Sequence, residues 1–299
     1  MSIALMMVSS SWAYTPGTVG FQFLKTQVGA RAAGLAGAFV AFPNDVSSLH
    51  YNPAGVATFS NRAASFTYFD ELLDFNTGFI GFVQPKIGPG NLGASVLYKD
   101  YGEFDKTDET GKLGSFRASS VAFVASYGVS IYKNLYVGGS AKYIHSAIDN
   151  FSSDAAAVDL GALFFIPAQE LYLAAAVTNA GKATSAFVVT KDPLPLQARF
   201  GISKKLAHLP LLIGVNAYKY VDQDWLGAIG GEFTLMPNLF LRLGYDLVGR
   251  DLKVGSSKDR LAGAAIGLGI VWNGIMVDYA LSSFGELGSL NRFTLSGQF

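Results

Sequence analysis

Any chemistry in this chain of 299 residues has to come from few groups. There are three histidines, His50, His145 and His208, and no cysteine. The histidines are scattered, and no spacing among them suggests a metal site. Without a thiol, cysteine nucleophiles and disulfide staples are both excluded. Serines and aspartates are plentiful, yet there is no Ser-centred elbow and no histidine placed to serve one. We expect no enzyme, no metal and no cofactor, and a membrane-embedded hydrolase is the weakest reading. Charge is more informative. Arg31 is the only charged residue between Lys25 and Asp45. A guanidinium in such a stretch can hold a carboxylate by two parallel hydrogen bonds. That carboxylate belongs either to a ligand or to the surrounding protein. Asn52 joins Arg31 as a candidate ligand contact.

Composition narrows the setting. With 22 basic and 22 acidic residues the formal net charge is zero, which argues against nucleic acid, a partner that needs a basic face. Charged residues make up 15% of the chain, against about 25% in soluble domains, and half of all residues are hydrophobic. A spanning helix needs about 20 consecutive, mostly apolar residues. The best uncharged run, 261–277, contains Gly263, Gly267, Gly269 and Gly274, and Asn273-Gly274 breaks it. It reads as two strands and a tight turn. With 34 glycines, 23 phenylalanines and 14 tyrosines, the chain fits a transmembrane β-barrel. A soluble β-sandwich or barrel is the alternative.

Residues 1–13, MSIALMMVSSSWA, look like a signal peptide, with an apolar core and a cleavage site at Ser11-Trp12-Ala13. The basic start of such a peptide is missing, so the peptide is expected to be incomplete. From Arg62 on, period-two alternation and turn residues mark strands at 62–69, 75–84, 91–101, 116–131, 135–148, 154–166, 171–179, 194–205, 210–221, 225–236, 238–248, 259–272, 274–284 and 290–299. That makes fourteen, an even number as in bacterial single-chain barrels. In 239–247 Leu239, Leu241, Leu243, Tyr245 and Leu247 share one face, and Phe240, Arg242, Gly244 and Asp246 the other. The large apolar set is assigned to lipid, because charge on that face is costly. The polar stretches 102–115 and 249–258 read as exposed loops. The chain ends on Phe299, in a strand whose Phe293 and Leu295 share its face. This end resembles the signal by which barrel-assembly machinery recognises outer-membrane barrels.

Fourteen strands leave a lumen that wall side chains alone do not fill. Residues 14–61 precede the strands, show no alternation, and are long enough to plug part of it. Ala32, Ala33, Gly34, Ala36, Gly37 and Ala38 are small and allow close packing. Asn44 or Asp45 can N-cap a turn through 47–49, and Asn52 a second one with Pro53 at its first position. Gly263, Ala265, Gly267 and Gly269 would face inward and make room. If 236–238 is a short turn, Glu232 lies opposite Arg242, with Asp246 and Asp278 facing the same space as a lumenal charge cluster.

The pattern Phe23-Leu24, Gly29-Ala30-Arg31-Ala32-Ala33-Gly34, Gly37-Ala38-Phe39, Asn44-Asp45 and Asn52-Pro53-Ala54-Gly55 resembles the N-terminal hatch of the PorV/PorQ family, within the FadL-like outer-membrane barrels. Leu241–Tyr245 and the stretch from Asp278 to Phe293 resemble the same family. The resemblance implies an all-β transmembrane antiparallel barrel of about 14 strands with a small helical hatch inside the lumen, in a bacterial outer membrane. It implies one of two jobs. FadL-like members bind or pass hydrophobic small molecules such as fatty acids through the hatch and out sideways between strands. PorV-like members serve type IX secretion as receptors for exported proteins. A purely structural barrel is the third reading. The expected partners are outer-membrane lipid, barrel-assembly machinery, a hydrophobic ligand and, on the second reading, exported cargo proteins.

Overall fold

The computed structural model describes residues 17–71, 75–109, 111–252 and 254–299. The expected signal peptide, 1–13, lies outside the described residues. From Ala63 the chain forms fourteen strands: β1 (Ala63–Asp70), β2 (Asn76–Ile87), β3 (Gly90–Asp108), β4 (Gly111–Tyr132), β5 (Leu135–Ile148), β6 (Phe151–Ile166), β7 (Leu171–Ala183), β8 (Gln197–Lys205), β9 (Leu211–Tyr220), β10 (Leu226–Met236), β11 (Leu239–Asp246), β12 (Ala264–Trp272), β13 (Ile275–Ser283) and β14 (Ser289–Gln298). Each is antiparallel to the next, and β1 pairs with β14 from Ala63↔Gln298 to Asp70↔Asn291, which closes the barrel. Closure leaves no sheet edge unpaired within the wall.

Side-chain direction separates the barrel from a sandwich. Along β12, Ile266, Leu268, Ile270 and Trp272 point outward and are exposed, while Ala265, Gly267 and Gly269 point inward. Phe66, Ile80, Phe123, Leu160, Phe200 and Phe293, spread round the wall, are likewise exposed. A sandwich would bury these faces against each other. Here they form an apolar outer belt of the kind that a transmembrane barrel presents to hydrocarbon.

The turns sort the two ends. Connections such as Asn273-Gly274, with φ of 50° and 81°, are as short as a hairpin allows. They lie at the end where the chain enters β1 and leaves β14. The opposite end carries the longer connections, 184–196, 221–225 and 247–263. Bacterial barrels keep their long connections outside, so this end is taken as the outer mouth.

Three local expectations need correction. Within the stretch 102–115 expected as a loop, residues 102–108 and 111–115 do not form one. They continue β3 and β4 as a two-stranded arm, paired from Glu103↔Arg117 to Asp108↔Gly111, after β2 has ended its pairing at Asn76↔Asp100. The strand expected from residue 259 begins only at Ala264, because 257–261 winds into a 3-10 turn and Gly263 takes a φ of 87°. The first helical turn also starts later than expected. Its N-cap is Ser47, with no side-chain cap, while Asp45 Oδ1 accepts the Ser47 N–H from outside the helix.

The segment before β1 runs through the lumen. It holds two short helices, α1 (Ala30–Gly34) and α2 (Ser48–Tyr51), and a 3-10 turn at Pro53–Thr58. It begins near the mouth, where Gly20 N–H donates to the Pro193 carbonyl, and ends at the turn side, where Phe59 and Val56 carbonyls accept from Asn91. Its buried Val28, Val46, Leu49, Val56 and Phe59 pack with wall residues Phe69, Phe79, Val83, Leu97 and Ile144. The wall is hollowed to receive it. A Cβ on Gly230 would stand 2.7 Å from the Leu35 carbonyl oxygen, one on Gly128 2.7 Å from the Ala57 nitrogen, and one on Gly34 3.1 Å from the Gly267 Cα. Backbone against backbone leaves no side chain free to move aside. Gly230→Val should therefore overpack the seat, costing about 1–3 kcal/mol, and should expose residues 30–40 to protease. An unchanged melting curve and cleavage pattern would show that the segment is not held there.

Candidate functional site

Two groups of polar side chains occupy the interior, at different heights. The lower group grows out of strand register. Glu232 on β10 and Arg242 on β11 are register partners, both facing the lumen. Arg242 Nε donates to Glu232 Oε2 at 2.6 Å, and its Nη1 donates to Asp278 Oδ1 at 2.6 Å. Asp278 is on β13, one strand beyond β12. The guanidinium crosses β12 above Gly269, where a Cβ would stand 2.7 Å from Arg242 Nη2 and 2.5 Å from Asp278 Oδ1. Arg31, from α1, closes the network. Its Nε and Nη2 donate to the two Glu232 oxygens at 2.7 Å each, and Nη1 reaches Asp45 Oδ2 at 3.3 Å. Arg31 thus holds a carboxylate of the wall in the two-pronged manner available to a guanidinium. Arg242 has no solvent exposure, and its Nη2 has no hydrogen-bond partner among the described residues.

Asn52 is also committed to the protein. Its Nδ2 donates to the carbonyls of Val40 and Ala162, and its Oδ1 accepts from the N–H of Ala54, the residue after Pro53. Asn52 thereby pins the second turn to β6. Gly34 sits against Gly267, Gly37 turns the chain at a φ of 77°, and Gly55 lies against Ser48. Phe299, at the chain end, donates its N–H to the Arg62 carbonyl and stays exposed.

The upper group lines a cavity of about 430 Å³ at the outer mouth. Asp246 belongs here and not with Arg242. It accepts the Tyr218 hydroxyl at 2.7 Å and the Val248 N–H at 3.0 Å. Four residues along one strand is a rise of about 13 Å, so a shared face did not mean a shared cluster. Phe75, Tyr218, Tyr220 and Phe284 supply much of the apolar lining. Two lining cations have matched carboxylates, Lys25 with Asp222 at 2.9 Å and Lys99 with Glu71 at 2.5 Å.

Arg199 and Arg292 do not. Arg199 Nε donates to Gln197, and its guanidinium lies 5.0 Å from the Tyr51 ring centre and 5.7 Å from that of Tyr218. Arg292 donates to the Gln27 carbonyl and Ser282 Oγ, both at 3.1 Å, and lies over Phe69. Both are buried, at 6% and 1% exposure, and among the described residues neither has a carboxylate within ion-pair distance. A buried charge of this kind is costly unless something pairs with it. Tyr51 fixes the floor beneath them, giving its hydroxyl to the Val28 carbonyl and accepting the Val28 N–H. Burial pushes its pKa up to about 12, so it remains a neutral phenol. In the structure Arg199 and Arg292 face inward, with Phe200 and Phe293 outward. The sequence carries no sign of which inward charges lack partners.

A smaller cavity of about 300 Å³ lies at the turn end, touching Arg31, Asp45 and Asp278. It shares no lining residue with the mouth cavity, and the internal segment stands between them. Among the described residues no group of His, Asp or Glu is placed to hold a metal ion. The arrangement is suited to binding: a cavity part aromatic and part polar, with two fixed guanidinium groups that lack carboxylate partners among the described residues, above a segment tied to the wall.

The profile of a family described as an uncharacterised protein family, UPF0164, matches residues 3–206. The chain belongs to the UPF0164 family. No curated protein matches it. Several solved structures resemble this UPF0164 barrel. The Ralstonia pickettii toluene transporter TbuX is similar over 91% of this chain and 98% of its own, at 14% identity and a TM-score of 0.64. A Pseudomonas aeruginosa FadL homologue covers 92% of this chain and 98% of its own, at 14% identity and 0.60. The Pseudomonas putida toluene transporter TodX covers 90% and 96%, at 11% identity and 0.59. At these identities the likeness establishes a shared fold, a FadL-like barrel of the membrane-spanning type.

Proposed function

We propose that this barrel binds a hydrophobic small molecule with an anionic end, such as a fatty acid, in the mouth cavity as the first stage of its passage. The observation that carries this is the pair of buried guanidinium groups, Arg199 and Arg292, which have no carboxylate within ion-pair distance among the described residues and line a cavity that Phe75, Tyr218, Tyr220, Leu226, Phe284 and Leu290 also line. A carboxylate arriving with an apolar tail would satisfy both features at once. Likeness of fold to proteins described as toluene transporters and a FadL homologue supports the hydrophobic part of the reading. In this reading residues 14–61 act as the hatch, residues 62–299 as the barrel, and Phe299 as the mark for assembly machinery.

A second reading follows from the PorV/PorQ resemblance and from the way the segment is seated wall to wall. A barrel closed at mid-depth suits work at its surface, as a receptor for exported proteins. Mass spectrometry of the protein, purified gently from its own membrane, separates the two. A stoichiometric fatty acid or similar hydrophobe is the expected result. A co-purifying exported protein, with no small molecule, would replace the first reading with the second.

A further inference from the structure

The turn end of the barrel carries exposed charge of nearly one sign. Arg62, Lys86, Lys133, Lys204 and Lys205 stand there, all exposed. Among the described residues the one exposed side-chain carboxylate at this end is that of Glu170, 3.9 Å from Lys205. Asp45 lies inside and is held by Arg31. Arg62, Lys86, Lys133 and Lys204 have no carboxylate within ion-pair distance among the described residues. The mouth end is different. Its cations are matched, Lys106 with Asp149, Lys112 with Asp105 and Lys25 with Asp222. The formal net charge of zero therefore hides an uneven distribution.

The positions of these cations add to their sign. On β8 Phe200, Ile202 and Lys204 share the outward face, so Lys204 stands at the edge of the apolar belt. Arg62 directly precedes inward-facing Ala63 and shares the outward side with Phe66. A long basic side chain at such an edge lays its stem on hydrocarbon and keeps its charge among head groups. Lys86 sits where the β2–β3 register shifts, at a φ of 63°, and its N–H donates to Asn91 Oδ1. Bulges commonly re-aim a side chain in this way. Lys133 lies in the β4–β5 turn beside Tyr132, which is 75% exposed. Exposed aromatics beside basic residues are typical of a membrane–water boundary. The cations cover the arc from β1 to β9. The β10–β11 and β12–β13 turns, 237–238 and 273–274, carry none.

We propose that this arc is a binding surface for anionic phospholipids, whose phosphates pair with Arg62, Lys86, Lys133 and Lys204 in the leaflet at the turn end. Cations fixed at the edge of the belt and left unpaired by the protein meet the complementary charge there. The proposal goes beyond the cavity and stands whatever the cavity binds. It makes lipid selection local: the arc should prefer anionic lipid and the opposite side of the same end should not.

Trp272 supplies the control, since it is 70% exposed on the outer face beside the β12–β13 turn. The test uses two full-length proteins with one tryptophan each. One carries Tyr132→Trp with Trp12→Phe, Trp225→Phe and Trp272→Phe. The other carries Trp12→Phe and Trp225→Phe and keeps Trp272. Both are folded into vesicles of phosphatidylglycerol and phosphatidylcholine in equal parts, with bromine on the chains of one lipid or the other. Fluorescence quenching then reads the lipid beside each tryptophan. At position 132 we expect phosphatidylglycerol to be favoured about fivefold at low salt, the effect of one cation near the surface. At position 272 we expect no preference. Lys86→Gln/Lys133→Gln should remove the preference at 132, and so should high salt, which screens exposed charge. Lys86→Arg/Lys133→Arg should keep it. Heat-dependent gel mobility checks that each barrel is closed. Equal quenching by the two lipids at 132 would overturn the proposal. So would a preference of the same size at both positions, or one that survives Lys86→Gln/Lys133→Gln.

Discussion

Arg242→Ala is expected to destabilise the barrel by about 3–5 kcal/mol, the range for removing one partner of a buried ion pair. The side chain is wholly buried and holds Glu232 and Asp278 at 2.6 Å each. Its loss takes from Asp278 its salt-bridge partner, leaving only the more distant Arg31, while Glu232 keeps Arg31 at 2.7 Å. The damage should therefore be relieved at Asp278. Arg242→Met/Asp278→Leu should be more stable than Arg242→Met alone, because paired apolar replacements avoid the stranded charge. Urea unfolding in lipid vesicles measures both. An Arg242→Ala protein within about 1 kcal/mol of wild type would mean that water reaches Asp278 and that the network is solvated, as exposed pairs are.

How much of this was legible beforehand depended on whether a feature is local to a strand or set by how strands stack. The fourteen strands could be read because lipid selects large apolar residues on one face and the packed lumen selects small or polar ones on the other. Ile266, Leu268 and Ile270 against Ala265, Gly267 and Gly269 is that contrast in its simplest form. Glu232 opposite Arg242 could be read as well, since a short turn fixes the register of the strands it joins. Asp246 was grouped with them on face alone, and its height placed it in another cavity. The arm was missed because both its faces are wet. The alternation that marks a wall strand is absent there, and Asp105, Lys106, Asp108 and Glu109 look like loop. The missing partners of Arg199 and Arg292 had no sequence signal at all. Whether a carboxylate lies near an inward arginine depends on the stagger of neighbouring strands and on where the internal segment puts its own charges.

Arg199 and Arg292 should behave in the opposite sense to Arg242. A buried guanidinium with no carboxylate weakens the empty protein and strengthens a complex that brings one. Arg199→Met and Arg292→Met should thus leave stability unchanged or raised, while binding of an anionic ligand falls. Charge-assisted hydrogen bonds are worth about 1.5–3 kcal/mol, and 1.4 kcal/mol is tenfold in affinity. Each variant should accordingly weaken dodecanoate binding by about 10- to 100-fold. Dodecanol has the same tail and no charge, so its affinity should change by less than about threefold, a few tenths of a kcal/mol. Calorimetry of both ligands, with melting curves of the empty proteins, separates the outcomes. Equal losses for acid and alcohol would mean that the arginines shape the pocket without reading the head group. Clear destabilisation of both empty variants would mean that the guanidinium groups serve the fold, through Gln197, Gln27 and the rings beneath them. Retained stability with a loss confined to the acid is what a site kept at some expense to the fold produces.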